Sequence, residues 1–325
     1  MLRVITADDV RGLLPMDECI DAMQNAMQAA SAGMVSVPPR LMMPLPDGRG
    51  DFTLMPGGAI DPPVFGGKII SILPDNPLQN QPAIQGFVTL FDNDSGTPLA
   101  IVEGAQVTAI RTAAASGLAT RYLAREKAQT HGIFGTGVQA VTHIDAIACV
   151  RPIDEVLIWG RDPKKAVSLA IKESERYGLT VRACDDPEEV GACDIVSTVT
   201  NAAEPILFGR WIRPGAHINL VGAHAPDTRE SDSDLIARSS IYTDLLASLF
   251  SESGDVLIPI EEGVIGRDHI RGEIGQVIGE ELHGRRDEIE ITVYKSLGIT
   301  AQDLFAADLV YRKAVESGVG SEISF

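Results

Sequence analysis

The chain contains no CxxC pair and no histidine set at metal-ligand spacing; its four cysteines, Cys19, Cys149, Cys184 and Cys193, are scattered along 325 residues. A structural zinc site or a disulfide framework needs closer, repeated spacing, so free thiols in a reducing compartment and no bound metal are expected. Also missing are an apolar core after Met1 and any uninterrupted apolar run long enough to span a bilayer, which argues against a secretory signal and a spanning helix. The expectation is a soluble, cytoplasmic protein without a membrane partner. Clustered Lys and Arg are absent and the formal net charge is −18. Binding to nucleic acid by counterion release requires such clusters, so that partner is excluded. Without internal repeats or low-complexity tracts, a solenoid is excluded as well. What remains, 45% hydrophobic and 22% charged residues, is an ordinary globular composition in a chain long enough for two domains.

Thr6 and Asp9 have capping-box spacing, and Ile20, Met23 and Met27 recur at helical intervals, so the chain is expected to open with helices. Dense Pro and Gly from Val37 to Gly67 read as strands and turns. Gly67 to Leu73 and Gly86 to Phe91 are β-rich, and the turn Asp92-Asn93-Asp94-Ser95-Gly96 before Pro98 to Val102 predicts a hairpin. Val107, Ile110, Ala114, Leu118 and Tyr122 then mark one face of an Ala-rich helix ending near Leu123. Beyond it strand and helix alternate, with strands expected at 130–134, 154–159, 179–183, 193–198, 216–221 and 240–243. That pattern predicts an α/β fold with a doubly wound Rossmann domain at 121–300. Helical periodicity resumes from Ala301 to Ser317. Residues 1–120, which read as α+β, and 301–325 are expected to form the other domain.

Strand, tight turn and helix start meet at Thr130 to Ala140, which contains Gly135-Thr136-Gly137-Val138-Gln139-Ala140. In a GxGxxA loop of this kind the first glycine permits the turn, the second admits a pyrophosphate to the backbone, and the alanine allows helix and strand to pack. An incidental glycine turn is the competing reading, but the following strand supplies the context the motif requires. The expected cofactor is NAD(H) or NADP(H). At the end of that strand Arg161 suits a 2′-phosphate and Asp162 a ribose hydroxyl; both also fit a solvated turn.

Leu54-Met55-Pro56, Gly67-Lys68, Ala109-Ile110-Arg111-Thr112-Ala113-Ala114, Gly135-Thr136-Gly137, Ser253-Gly254-Asp255 and Lys295-Ser296-Leu297-Gly298 resemble, in order, characteristic segments of the ornithine cyclodeaminase/mu-crystallin family. The resemblance spans nearly the whole chain. It implies a discontinuous α+β domain that binds substrate and forms a homodimer, and a central Rossmann domain. It also implies hydride exchange between a nicotinamide and the Cα of a small imino or amino acid. By the same resemblance Arg40, Lys68 and Arg111 hold the substrate carboxylate, and Thr112, Val138, Thr198 and Ser296 join the glycine loop at the nucleotide. A guanidinium and an ammonium together would orient an α-carboxylate for reaction. Surface exposure for Arg40 and a helix-face ion pair for Arg111 are the alternatives. Burial would also let Lys68 act as a proton donor or acceptor.

The family's cyclodeaminases carry an aspartate where this chain has His224 and a glutamate where it has Thr53. Both anionic partners for a diamine are therefore missing, and ornithine is expected to be a poor substrate. His224 would donate a proton or contact a second carboxylate, or else be an ordinary loop histidine. Iminosuccinate, cyclic ketimines such as pyrroline-2-carboxylate, and iminopropionate are all expected candidates for reduction to an L-amino acid. A cyclodeaminase with bound NAD and a non-catalytic, crystallin-like binding protein are the competing functions.

Overall fold

The computed structural model describes residues 1–79 and 81–324. The chain divides into two compact units, Met1–Arg111 with Gly298–Phe325 and Thr112–Leu297. Both breaks differ from the expected ones at 120/121 and 300/301. The first falls within the helix Gly104–Leu123, whose apolar face runs on without marking a change of unit.

The first unit is built on β1 (Leu2–Ile5), β2 (Val35–Ser36), β3 (Leu41–Pro44), β4 (Asp51–Ala59), β5 (Val64–Ile72), β6 (Ile84–Asp92) and β7 (Pro98–Glu103). They form one sheet with the C-terminal strand Ser321–Ile323, in the order C-terminal strand, β1, β7, β6, β5, β4, β2, with β3 also on β4. The chain thus opens on a strand, correcting the helical expectation. Four residues are too few to show a period, and β1 takes its place from parallel pairing with the distant β7. The predicted hairpin is β6 and β7, paired antiparallel, and the Thr6–Asp9 capping box forms at Ala7–Leu13. Register aligns Met55, Lys68, Val88, Val102 and Ile5 in one row across the sheet. Every member of that row is buried, so this face carries the core, against the helix Thr300–Ser317. The opposite face leaves Leu41, Met43, Phe65 and Phe87 exposed.

The second unit contains β8 (Thr130–Phe134), β9 (Glu155–Trp159), β10 (Thr180–Ala183), β11 (Ile195–Thr198), β12 (His217–Leu220), β13 (Ser239–Thr243), β14 (Ile270–Glu273) and β15 (Ile291–Lys295). All pair in parallel, in the order β10-β9-β8-β11-β12-β15-β13-β14. Alternate residues feed two cores: Phe134, Leu157, Val196 and Ile218 enter one, while Ile133, Val156, Ile158 and Ile195 meet Ala140, Ile144 and Ile147 in the other. This is a doubly wound sheet, and the winding reverses between β8 and β11, where ligands of such folds bind. Six strands were expected and eight are present. β15 follows a charged stretch and contains Thr, Tyr and Lys, so its sequence conceals that it is fully buried between β12 and β13. No helix among the described residues is long and apolar enough to cross a membrane.

Candidate active site

In the first unit a lysine is forced into an apolar row by the sheet's register. Lys68 is 2% exposed, and its ammonium donates to Asp303 Oδ1 at 3.1 Å. The same oxygen accepts from Arg111 Nε at 2.9 Å, and Arg111 Nη1 donates to Gln302 Oε1 at 2.6 Å. Asp303 lies in the first turn of the helix Thr300–Ser317, where the helix dipole favours a negative charge. Arg40, half-buried, donates to the Gly298 carbonyl at 2.9 Å.

Gly298 has φ +75°, and a Cβ there would lie 2.7 Å from Arg111 Nη1. Only glycine both accepts this backbone and lets the guanidinium rest on it. Lys68 and Arg111 thus meet on one carboxylate, that of Asp303, with Arg40 beside them on Gly298; Asp303 Oδ2 is buried without a hydrogen-bond partner. The Thr53 hydroxyl, on the same sheet face, is likewise buried and unpartnered. Burial, and then the neighbouring Arg111 charge, lower the Lys68 pKa to about 7, against the opposing pull of Asp303. Three cations clustered with one carboxylate can receive a further anion, and the orphaned oxygens can receive polar hydrogen.

In the second unit the candidate residues, apart from Thr112 in the helix Gly104–Leu123, collect at the C-terminal ends of parallel strands. Gly135, at φ +133°, closes the turn after β8, and a Cβ there would sit 2.9 Å from the Val199 carbonyl oxygen. Gly137 precedes the helix Val138–Val150 and makes no side-chain cap. A Cβ at Gly137 would meet nothing within 4 Å, Val138 is exposed and Ala140 is buried. The helix amides therefore open onto clear space, which fits a pyrophosphate.

Gly160 abuts Thr136, for its Cβ would lie 2.6 Å from Thr136 Cγ2. That contact brings the Arg161–Asp162 turn beside the glycine loop. Asp162 accepts from the Lys164 amide at 3.0 Å, capping the helix Pro163–Tyr177, while Arg161 is exposed. Thr198, at the end of β11, donates to Glu230 at 2.8 Å. Ser296 is buried and its amide donates to the Leu220 carbonyl. Thr112, also buried, lies one turn before Ser116, whose hydroxyl meets His143 on the Val138–Val150 helix at 2.9 Å.

His224 follows β12, is exposed, and places Nδ1 3.1 Å from the Gly222 carbonyl. Beneath it lies a polar network given no role from the sequence, made of Glu230, Asp255 and Lys295, all fully buried. Asp255 and Lys295 fall within the recurrent segments Ser253-Gly254-Asp255 and Lys295-Ser296-Leu297-Gly298, which are the signal available for them. Asp303 shares its helix with Asp308, Arg312, Lys313 and Glu316, so nothing in the sequence singled it out. Glu230, in an acidic loop, offered no signal. His131, His143 and His217 are core residues whose pKa values burial lowers to about 3, 4 and 3. Among the described residues no group of three or more His, Cys, Asp or Glu side chains could hold a metal ion.

The geometry can be set beside known proteins. The Delta(1)-pyrroline-2-carboxylate reductase of Bacillus cereus is 37% identical over 324 residues, covering 99% of both chains. A solved structure of Thermococcus litoralis Delta(1)-pyrroline-2-carboxylate reductase in complex with NADH and L-proline matches with a TM-score of 0.96 and 36% identity, over 99% of this chain and 100% of that one. The iminosuccinate reductase of Paracoccus denitrificans in complex with NAD+ matches with a TM-score of 0.93 and 28% identity, over 100% and 99% of the two chains. The family model for ornithine cyclodeaminase/mu-crystallin matches residues 2–318, and the chain belongs to that family.

Proposed function

We propose that this protein is an NAD(P)H-dependent reductase of small imino acids, with a cyclic imine such as pyrroline-2-carboxylate as substrate and an L-amino acid as product. The observation that carries this reading is the cluster of three cations in the first unit: Lys68 and Arg111 share Asp303 Oδ1, and Arg40 donates to the carbonyl of Gly298, the glycine against which the Arg111 guanidinium rests. When bound, the reduced nicotinamide supplies a hydride to the imine carbon. Arg111 and Arg40 hold the substrate carboxylate, and Lys68 adds a buried positive charge. His224 supplies a proton or meets the substrate's distal group. Gly135, Thr136, Gly137 and Val138 hold the nucleotide, with Thr112, Thr198, Ser296 and the Arg161–Asp162 turn around it. The exposed apolar face of the first unit's sheet supports a homodimer, to be checked by mass in solution.

The similarity to pyrroline-2-carboxylate reductases over the full chain supports the cyclic substrate. Iminosuccinate is the second reading, supported by the imidazole of His224, which can pair with a distal carboxylate, and by the match to the Paracoccus denitrificans enzyme. Ornithine is disfavoured, because Thr53 and His224 stand where cyclodeaminases place carboxylates. The test is a panel assayed for NADH and NADPH oxidation: pyrroline-2-carboxylate, oxaloacetate with ammonia, and pyruvate with ammonia or methylamine. Fastest turnover of the cyclic imine is expected; preference for oxaloacetate with ammonia selects iminosuccinate, and inertness to every imine defeats the reductase reading.

Lys68 makes the pH dependence specific. In the free enzyme its ammonium is lost as pH rises through about 7, so kcat/KM is expected to fall about tenfold per pH unit above that point. In kcat the same limb should lie higher, because a bound carboxylate favours the charged amine. A flat kcat/KM between about pH 6 and 9 would remove Lys68 from this role.

Arg161 bears on the choice of nucleotide. Arg161→Ala should weaken NADPH binding about tenfold while changing NADH little, since only a 2′-phosphate offers the guanidinium an anion. Titration of both nucleotides decides, and equal losses would assign Arg161 to the surface.

A further inference from the structure

The turn that carries His224 is held peptide by peptide. The Gly222 amide donates to Glu230 Oε2 at 2.6 Å, and the Gly222 carbonyl meets the His224 ring. The Ala223 carbonyl accepts from Lys295 Nζ at 2.5 Å, and the Ala225 carbonyl from the Gly254 amide at 3.1 Å. Glu230 reaches further: Thr198 Oγ1 also donates to its Oε2 at 2.8 Å, while the Thr200 amide and hydroxyl donate to its Oε1 at 2.8 and 2.7 Å. One carboxylate thus ties the loop after β12 to the loop after β11.

Those bonds close into a ring. Lys295 pairs with Asp255 Oδ2 at 2.9 Å, and Asp255 Oδ1 accepts from the Glu230 amide at 2.9 Å and from the Ser231 amide at 3.0 Å. Steric fit points the same way. A Cβ at Gly222 would lie 2.0 Å from the Thr200 carbonyl oxygen and 2.6 Å from Glu230 Oε1. Glycine is required for the carboxylate to reach the backbone so closely. Burial and the nearby Asp255 raise the Glu230 pKa, but an N–H group, which can only donate, faces each of its oxygens, Thr200 on Oε1 and Gly222 on Oε2.

We propose that Glu230 is a positioning residue of the active site, fixing the Gly222–Ala225 turn, and with it His224, in place relative to the Thr198–Thr200 strand end. The proposal rests on the reductase reading of the site and on the role given there to His224. Glu230→Gln keeps size and shape but turns an NH2 group toward either Gly222 N–H and Thr198 or Thr200 N–H. Donor then faces donor, and the turn must move. A displacement of this kind at a reacting group costs about a hundredfold in rate.

The experiment compares Glu230→Gln, His224→Ala and the double variant, with pyrroline-2-carboxylate and NADH. Hydrogen exchange is measured on the same proteins. Expected are a loss of kcat of about tenfold to a hundredfold in the single Glu230 variant and less than about twofold further loss when it is added to His224→Ala. Amide exchange across residues 221–226 should accelerate at least about tenfold, with strands β8 and β9 unchanged. A purely structural role would instead add the same loss in both backgrounds, which overturns the proposal. So does wild-type turnover or unchanged exchange in a folded Glu230→Gln. If the wild type is inert toward the imine, the reductase reading fails and exchange alone decides the clamp. Should Glu230→Gln not fold, Thr200→Val removes one of the four bonds and is read in the same two backgrounds.

Discussion

Gly137→Val is expected to weaken NADH binding by about a thousandfold or more while leaving the fold intact. Both halves of that result follow from the same position. A Cβ at residue 137 would meet nothing within 4 Å, and its backbone, at φ −91°, suits any L-residue, so valine is accommodated in the folded chain. The space it fills is the space into which the amides of the Val138–Val150 helix open. Blocking it deprives a pyrophosphate of two or so charge-assisted hydrogen bonds, about 4 kcal/mol together and near three decades in affinity. Calorimetric titration of a variant whose melting temperature is normal decides the matter. Affinity close to the wild type would place the nucleotide elsewhere.

Arg111→Ala is expected to lower kcat/KM by at least about a hundredfold, equivalent to a lost carboxylate contact of about 3 kcal/mol. It carries a second signature that ordinary destabilisation would not. The Arg111 charge is the largest electrostatic influence holding the Lys68 pKa down after burial. Its removal favours the ammonium, so the alkaline limb of kcat/KM should move up from about pH 7. Nucleotide affinity should barely change, since the contacts of Arg111 described above, Asp303 and Gln302, belong to the first unit. A rate loss with an unmoved limb would mean that Arg111 does not act beside Lys68, and unaltered turnover in a folded variant would return it to a purely structural ion pair.

Much of the second unit was legible because its signals are local. The GxGxxA loop, its strand and its helix are contiguous, and the short β-rich runs announce β8 to β13 almost residue by residue. β15 escaped because strands distant in sequence, β12 and β13, bury it rather than any local alternation, and β14 because it is a short edge strand, with two of its four residues buried, paired with β13. In the first unit Lys68 and Arg111 stand in segments that resemble the family's and Arg40 is placed by the same resemblance, yet the carboxylate that Lys68 and Arg111 share could not be named. Asp303 meets Lys68 across 235 residues, and only sheet register and helix placement bring them together. Glu230 is harder still, for an acidic residue among Asp227, Asp232 and Asp234 reads as solvated surface until its four donors are seen. Charge in a sequence says little about burial, and burial is what gives these groups their chemistry.

The most direct measurement of imine reduction uses NADH carrying deuterium at the transferable position of C4, with pyrroline-2-carboxylate as acceptor and mass spectrometry of the product. L-proline bearing one deuterium at Cα is the expected result. Proline without deuterium at Cα, or no proline while the folded protein binds NADH, would contradict direct hydride transfer to the imine carbon.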